Sequence, residues 1–280
     1  MGIVIKTEEQ IEKMRIAGEL AAQVLEMIEP FVVAGVTTQE LNDRCHEFTL
    51  ANEAKSAPLF YPSYDENDET AFQKSICTSI NSVVCHGVPD DRALVDGDII
   101  NLDITVIKDG LHGDTSKMFL VGDVSPRDKQ LCRVAQEALY EGLRQVKPGI
   151  RLSRIGDVIE KKIKAHNKAN PTRKYSIVEE YCGHGIGEKF HEEPQVLHYK
   201  SRFNESNQNL ILKEGMCFTI EPMINAGKKH NFVDADDHWT VFTKDNKNSA
   251  QWEHTLVVTK EGCEILTLRA EETIPRLLKN

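Results

Sequence analysis

Helical spacing of apolar residues marks the first fifty positions of the chain. Thr7 begins a capping box with Gln10, and apolar residues then recur at helical spacing until Pro30 stops the run. A second capping box begins at Thr37 and opens a helical pattern toward Leu50. The pattern therefore predicts two amphipathic helices in this region.

Helical and strand-like patterns both occur in the rest of the chain. A third helix is predicted from Ser125 to about Val146, with a proline at its first helical position, and a fourth from about Ser153 to His166. Short apolar and β-branched runs predict strands at 75–80, 99–107, 116–121, 176–181, 216–221 and 254–259. We predict an α+β fold, with helices outside a curved antiparallel sheet.

Two polar segments interrupt this pattern. Residues 61–71 are rich in acids, and residues 200–210 are rich in asparagine. Neither has apolar periodicity, so we interpret both as surface insertions.

Two of the strand-like runs end on a carboxylate. Gly97 to Asp103 reads GDIINLD, and Gly215 to Glu221 reads GMCFTIE. Acids are depleted in strands and are almost never fully buried without a partner. Two acids in such apolar runs therefore need a shared counter-charge, and a metal ion supplies one.

The similarity between the two runs extends along the chain. Each is preceded by a turn with a helical pattern and by a His-Gly pair, and each is followed by a second carboxylate. These features are AGVTTQEL (34–41) and PGIRLSRI (148–155), His86 and His184, and Asp114 and Glu253. One such match can arise by chance, but four in the same order favour two homologous halves. We predict a single catalytic domain over 1–280, with pseudo-symmetric halves of about 1–125 and 126–280.

The recurring acids form an oxygen-rich set with one imidazole. Its members are Asp103, Asp114, His184, Glu221 and Glu253. Four carboxylates brought together without cations would repel one another and lose hydration, whereas two divalent cations would balance the four charges. The alternative places these acids in surface turns or structural ion pairs, because no HExxH or CxxC signature is present.

Composition narrows the possible function classes. With 280 residues, 40% of them hydrophobic, the chain can bury a large core, and no Pro-, Gly- or Ser-rich linker separates its halves. A net charge of -10 argues against nucleic-acid binding, which needs a basic stripe. Seven cysteines without a CxxC pair indicate reduced thiols. Because no signal peptide or membrane-spanning run is present, we expect a soluble, cytoplasmic protein.

Four strings in the sequence carry a family resemblance. They are NLDITVIKDGLHGDTSKMF (101–119), YCGHGIGEKFHEEPQVLHY (181–199), FTIEPM (218–223) and SAQWEHTLVV (249–258). These strings resemble the type I methionine aminopeptidases of bacteria, and the resemblance covers nearly the whole chain. It implies the pita-bread fold, a dinuclear metal centre and removal of the initiator methionine from nascent chains.

The resemblance also implies a role for each acid. In that family five side chains hold the metals, and they match the set described above. Asp103 matches the aspartate that chelates one metal, whereas Asp114 and Glu253 match the residues that bridge both. His184 and Glu221 match the remaining ligands of the other metal. A site of this kind accepts Co, Mn, Fe or Zn, so the physiological metal stays open.

Catalytic groups follow from the same resemblance. His86 and His191 match two histidines that are not ligands and that contact the substrate amide and the developing oxyanion. Glu221 matches the group that moves a proton from water to the leaving amine. Six other histidines are interpreted as surface or core residues: His46, His112, His166, His198, His230 and His238. His254 adjoins a ligand, and no role is assigned to it.

The implied methionine pocket consists of aromatic and sulfur-containing side chains. It maps to Cys77, Phe190 and Trp239, an apolar slot that selects by shape. The segment before Cys77 is longer than the family loop, so the position of a pocket tyrosine stays open between Tyr64 and Phe72. A bulky second residue of the substrate would press against the walls of this site, and we therefore expect a small one.

Two alternative functions remain open on the sequence. Prolidases and Xaa-Pro aminopeptidases share the fold and the five ligands, but they normally carry an additional N-terminal domain. Metal-free binding proteins on this scaffold lose ligands, and all five are intact here. The expected partners are nascent polypeptide N-termini, with no direct contact to nucleic acid or membrane. We expect a monomer, and the sequence leaves ribosome docking open.

Overall fold

The four predicted helices are present in the computed structural model, which describes residues 2–200 and 208–279. Both predicted capping boxes form at the N-termini of the first two helices. The helices are α1 (Glu8–Ile28), α2 (Thr38–Ala51), α3 (Pro126–Leu143) and α4 (Ser153–Ala169), with a 3₁₀ turn (Glu29–Phe31) after α1. None of them has the length and hydrophobicity needed to cross a membrane, within the residues described.

The strands are short except for one long pair. In chain order they are β1 (Lys55–Ser56), β2 (Cys77–Ile80), β3 (Val83–Cys85), β4 (Ile99–Lys108), β5 (Leu111–Leu120), β6 (Ser176–Ile177), β7 (Gly183–Gly185), β8 (Glu192–Val196), β9 (Cys217–Ile220), β10 (Met223–Asn225), β11 (Asn231–Val233), β12 (Val241–Thr243), β13 (Ser249–Gln251), β14 (His254–Val258), β15 (Gly262–Ile265) and β16 (Leu277–Lys279). The strand predicted at 176–181 is wrong after Ile177, where β6 ends.

Every strand pair in the described ranges is antiparallel, which confirms the predicted α+β class. One sheet has β4 at its centre, with β5 along one edge and β1 and β2 along the other. A second sheet runs β16-β15-β14-β9-β7-β8. Two three-stranded sheets, β13-β10-β6 and β11-β12-β3, complete the fold. The β4–β5 and β14–β9–β7 ladders carry the residues of the candidate site.

Helix α1 lies directly against the β4–β5 ladder. A Cβ atom on Gly113 would lie 2.4 Å from the carbonyl carbon of Ala17, so only glycine permits this contact. Gly113 immediately precedes Asp114 in β5. The packing of α1 therefore fixes the backbone next to one of the predicted ligands.

Two hydrophobic cores support the ladders from outside. One packs α1 and α2 against β4, and the other packs α3 and α4 against β9 and β14. Burial of this kind contributes roughly 25 cal/mol for each Å² of apolar surface removed from water. The ladders are thus held rigidly from the side opposite the site.

The two predicted surface insertions differ in outcome. Of the acids in 61–71, Asp65, Glu66 and Glu69 are exposed and Asp68 is half-buried, whereas Tyr61 at the start is half-buried and Ala71 at the end is buried. Of the segment 200–210, positions 201–207 lie outside the described residues. Gln208 is buried and donates a hydrogen bond to the Gln195 carbonyl, so the surface prediction is wrong at that position.

Candidate active site

The structure brings the five predicted ligands to one cavity of about 580 Å³. Two lie on the β4–β5 hairpin and three on or beside the six-stranded sheet. They are Asp103 in β4, Asp114 in β5, His184 in β7, Glu221 directly after β9 and Glu253 directly before β14. Residues far apart in sequence therefore meet because residues of both ladders line this cavity.

Three of these side chains are close enough to share one ion. Ligand atoms of Asp114, His184 and Glu253 all lie within 4.8 Å of one another. The Nε2 atom of His184 is 3.6 Å from Asp114 Oδ2 and 3.6 Å from Glu221 Oε1. The acids and the imidazole thus point at a common centre rather than at solvent.

Neutral donors fix the orientation of two carboxylates. The Thr105 hydroxyl donates to Asp114 Oδ1 over 2.7 Å, which leaves Oδ2 facing His184. On Glu221, the Thr219 hydroxyl donates to Oε1 over 2.8 Å and the Gln251 amide donates to Oε2 over 3.2 Å. Each carboxylate is therefore oriented without losing its negative charge to a lysine or arginine.

His184 is held between two glycines that let neighbouring strands approach. A Cβ on Gly183 would lie 2.4 Å from the Thr219 carbonyl oxygen, and a Cβ on Gly185 would lie 2.2 Å from that of Glu193. The Nδ1 atom of the His184 ring is 3.0 Å from the Gly185 carbonyl oxygen. A proton on Nδ1 satisfies that contact and leaves the Nε2 lone pair for a metal.

The electrostatics of the acids favour binding of a positive charge. Burial, reinforced by repulsion from neighbouring acids, raises the pKa of Asp103 and of Glu253 well above the usual range. Burial also raises the pKa of Glu221 to about 7. The Oδ1 atom of Asp103 is buried and has no hydrogen-bond partner among the described residues. Hard carboxylate oxygens, one imidazole and an unsatisfied acceptor together fit a divalent cation.

The two histidines predicted to contact substrate also line the cavity. His86 has a left-handed backbone with φ of 56°. This conformation is rare for non-glycine residues, and its instances cluster at functional sites. The His191 ring is 4.3 Å from the His184 ring and stacks at 4.3 Å on Phe190. Desolvation by the surrounding cavity wall lowers the pKa of His86 to about 4 and that of His191 to about 3, although the His191 side chain remains accessible from the open cavity. Both rings are therefore neutral near pH 7.

The predicted pocket residues Cys77, Phe190 and Trp239 line the apolar part of the same cavity. Of the two candidates for the additional ring, Phe72 lines the cavity, whereas Tyr64 is outside the lining and 53% exposed. Sequence reasoning missed Tyr61, which lines the cavity together with these residues. No periodicity in the insertion could have shown that its first residue turns inward.

The aromatic residues that line the cavity, Phe72, Phe190 and Trp239, form an aromatic wall. Tyr61 joins this wall through edge-to-face ring contacts. Its ring centroid lies 5.5 Å from that of Phe190, 5.2 Å from that of His191 and 6.4 Å from that of Trp239. The Trp239 indole also donates to the carbonyl oxygen of Thr70, near the other end of the insertion. The insertion is therefore part of the cavity wall at both ends.

His198 is a second residue whose contact the sequence did not reveal. It is fully buried, and its Nε2 atom accepts a hydrogen bond from the backbone N–H of Glu221 over 3.1 Å. Burial lowers the pKa of His198 to about 3, so the acceptor nitrogen stays unprotonated. Its place in the 181–199 string was the only signal. His198 holds the backbone of a predicted ligand.

A buried cluster of carboxylates and histidine in an apolar cavity is typical of a metal-dependent hydrolase. The sequence profile "Metallopeptidase family M24" matches residues 12–260. The fold and the site thus define a metallopeptidase.

Similar proteins specify the branch of the family. The chain is 56% identical over 282 aligned residues to the methionine aminopeptidase of Escherichia coli (strain K12), covering 100% of this chain and 99% of that protein. A solved methionine aminopeptidase from Rickettsia prowazekii has a TM-score of 0.87 at 48% identity, covering 95% of this chain and 100% of that one. That from Thermotoga maritima has a TM-score of 0.85 at 31% identity, with 95% and 99% covered. The chain belongs to metallopeptidase family M24 and, within it, to the methionine aminopeptidases.

These comparisons confirm the expected family and its pita-bread fold. The prolidase from Pyrococcus horikoshii, at 21% identity and a TM-score of 0.72, shares the fold alone and is covered over 65% of its length. The prolidase alternative is therefore weaker than the methionine aminopeptidase interpretation.

Proposed function

We propose that this protein is a methionyl aminopeptidase that removes the N-terminal methionine from nascent polypeptides in the cytoplasm. The observation that carries the proposal is the convergence of four carboxylates and His184 beside an aromatic pocket in one cavity. We also propose that residues 1–280 form one catalytic domain with halves of about 1–125 and 126–280. Two of the five ligands come from the first half and three from the second, so neither half holds the complete set. The protein is proposed to act as a monomer.

The five side chains would hold two divalent ions. Asp103, Asp114, His184, Glu221 and Glu253 would together hold both ions. When bound, such ions act as Lewis acids that polarise the scissile carbonyl and lower the pKa of water. The donor set accepts Co, Mn, Fe or Zn, and availability decides among them.

The aromatic wall would bind the methionine side chain. Phe190, Trp239, Phe72 and Tyr61 present ring edges and faces, with which a thioether makes favourable contacts. The pocket offers shape rather than charge, so it discriminates by about 1–3 kcal/mol for each methylene-sized difference. This term is sufficient to favour methionine over shorter apolar side chains.

The neutral histidines would contact the reacting amide. His86 and His191 can each donate a hydrogen bond to the substrate amide or to the oxyanion as it develops, without bringing a competing positive charge. Glu221 would accept a proton from the attacking water and return it to the leaving amine. The two histidines would therefore stabilise the developing charge, and Glu221 would transfer the proton.

Selection at the second residue would be steric. The substrate amide would lie between His86, His191 and the acids, with the methionine side chain against the aromatic lining of the same cavity. A bulky second side chain would press on these walls, whereas Gly, Ala or Ser would fit, so discrimination comes from exclusion rather than attraction.

A peptide panel tests the proposal. Chelated protein should be inactive, and Mn²⁺, Co²⁺ or Fe²⁺ should restore cleavage of Met-Gly and Met-Ala peptides. Met-Leu and Met-Lys peptides should have kcat/KM values at least tenfold lower, and an Xaa-Pro peptide should not be cleaved. Activity that survives chelation, or a preference for Xaa-Pro, would reject the proposed function.

A further inference from the structure

A buried charged cluster lies behind the candidate metal ligands and does not face the cavity. At its centre Arg269 is 1% exposed, and its Nη2 atom lies 2.7 Å from Glu272 Oε1. The guanidinium also lies 5.7 Å from the centre of the Trp252 ring. A buried ion pair contributes little net stability because desolvation offsets attraction. Stability alone therefore does not explain this buried ion pair, and the groups that it contacts indicate its role.

Glu272 is the second charged residue of this cluster, and its carboxylate has partners on both oxygens. The Tyr140 hydroxyl donates to Glu272 Oε2 over 2.6 Å, and His254 Nε2 lies 3.0 Å from the same oxygen. Burial alone would raise the pKa of Glu272, but the contacts with His254 and Arg269 outweigh it and hold the pKa well below the usual range. Glu272 is therefore an ionised anchor on which Arg269, His254 and Tyr140 converge.

One chain of hydrogen bonds leads from Arg269 to Glu253. Arg269 Nη1 donates to the Thr115 hydroxyl over 2.6 Å, and that hydroxyl donates to the Glu253 carbonyl oxygen over 2.7 Å. Thr115 directly follows Asp114 in β5. The guanidinium thus fixes the hydroxyl that joins the backbone of one predicted ligand to the neighbour of another.

A second chain leads from Glu272 to Asp114. His254 Nδ1 lies 2.9 Å from the Thr267 hydroxyl, which accepts the backbone N–H of Thr255 over 3.1 Å. The Thr255 hydroxyl donates to the Asp114 carbonyl oxygen over 2.8 Å, and the Asp114 N–H lies 3.2 Å from that same hydroxyl oxygen. Both chains therefore end on the backbone of a predicted ligand.

We propose that Arg269 and Glu272, acting through Thr115 and Thr255, are positioning residues that fix the separation of Asp114 and Glu253 for metal binding. Asp114 lies in β5 and Glu253 directly precedes β14, and the hydroxyl groups of Thr115 and Thr255 join these two segments. The inference rests on the proposed function, because it takes Asp114 and Glu253 as ligands. It assigns no contact with substrate to the cluster.

Thr115 offers the sharpest test because its hydroxyl group can be removed by itself. Thr115→Val keeps the shape of the side chain but deletes the hydroxyl, whereas Thr115→Ser keeps the hydroxyl. Arg269→Met removes the guanidinium at similar length. Ile163→Ala, in α4, is the control for a general loss of packing. For each metal-free variant, calorimetric titration with Mn²⁺ gives the affinity, and a thermal melt gives Tm.

The expected result is a loss of metal affinity that stability does not explain. Substitutions that release an orienting contact behind a ligand typically weaken metal binding 10- to 100-fold. Thr115→Val and Arg269→Met should show a loss of that size, Thr115→Ser should stay near the wild type, and Ile163→Ala should keep wild-type affinity despite its lower Tm. Equal Mn²⁺ affinity in Thr115→Val and the wild type would overturn the proposal, even if Arg269→Met failed to fold.

Calorimetry separates this inference from the proposed function. If the wild type binds Mn²⁺ but does not cleave methionyl peptides, the proposed function fails, and the affinities still decide the positioning role. If the wild type binds none of Mn²⁺, Co²⁺, Fe²⁺ and Zn²⁺, Asp114 and Glu253 are not ligands, and the positioning role fails as well.

Discussion

His191→Ala is expected to slow the chemical step while leaving metal binding unchanged. The His191 ring lines the cavity beside His184, yet it is not one of the five predicted ligands. With a pKa of about 3 it is neutral at pH 7 and can donate a hydrogen bond as negative charge develops on the substrate oxygen. Removing one such donor costs about 2.7–4 kcal/mol, or 10²- to 10³-fold in kcat.

The exposure of the ring decides where in that range the effect falls. The His191 side chain is exposed to the open cavity, so water can partly replace the lost donor. We therefore expect the lower end, about 10²-fold in kcat, with a much smaller change in KM.

Steady-state kinetics on a Met-Ala peptide measure the effect, and Mn²⁺ titration of the metal-free variant measures the affinity. His112→Ala is a matched control, because the His112 ring also stacks on Phe190 but does not line the cavity. It should retain kcat within a few-fold. Weakened Mn²⁺ binding by His191→Ala would make His191 a ligand, and an unchanged kcat would remove it from the transition state.

Three further outcomes are expected. Because the raised pKa keeps Glu221 protonated at low pH in the metal-free protein, Mn²⁺ affinity should rise from pH 5.5 to 7.5 as that proton leaves, and a pH-independent affinity would contradict this. Lys6→Met leaves the partly buried Glu192 without its partner, so the free energy of unfolding in urea should fall by about 3 kcal/mol and should recover in the Lys6→Met/Glu192→Met double variant. Tyr61→Ala should raise KM for methionyl peptides several-fold, whereas Gly-Ser replacement of the exposed tip at 65–69 should alter neither folding nor KM, and equal effects would refute the inward role of Tyr61.

Local signals in the sequence predicted the helices well because their ends are chemically marked. Capping boxes at Thr7 and Thr37 and the proline at position 126 specify helix starts through short-range contacts. The start of β5 was missed, because Leu111 to Thr115 contains Gly, His and Asp, residues that are unfavourable or neutral in strands. Those residues are in a strand because β4 and helix α1 hold them there, and both contacts are tertiary.

The same distinction applies to the site. Asp103 and Glu221 could be predicted because each interrupts an apolar run, which is a feature of the local sequence. Tyr61 and His198 could not, because their roles depend on where a loop and a buried strand end meet residues distant in sequence. The supporting cluster around Arg269 was also invisible, since a lone arginine near a C-terminus is usually a solvated surface residue.

The arrangement of charge around the site leaves the four acids without a competing cation. Among the described residues, no lysine or arginine forms an ion pair with any of the four carboxylates, whose side-chain partners are hydroxyls, an amide and His184. The buried cations nearby are already paired: Arg269 with Glu272, and Lys6 with Glu192. A cation that neutralised the acids would compete with a metal, whereas neutral donors orient them and leave their charge in place. The carboxylate oxygens of the site are therefore available to divalent ions.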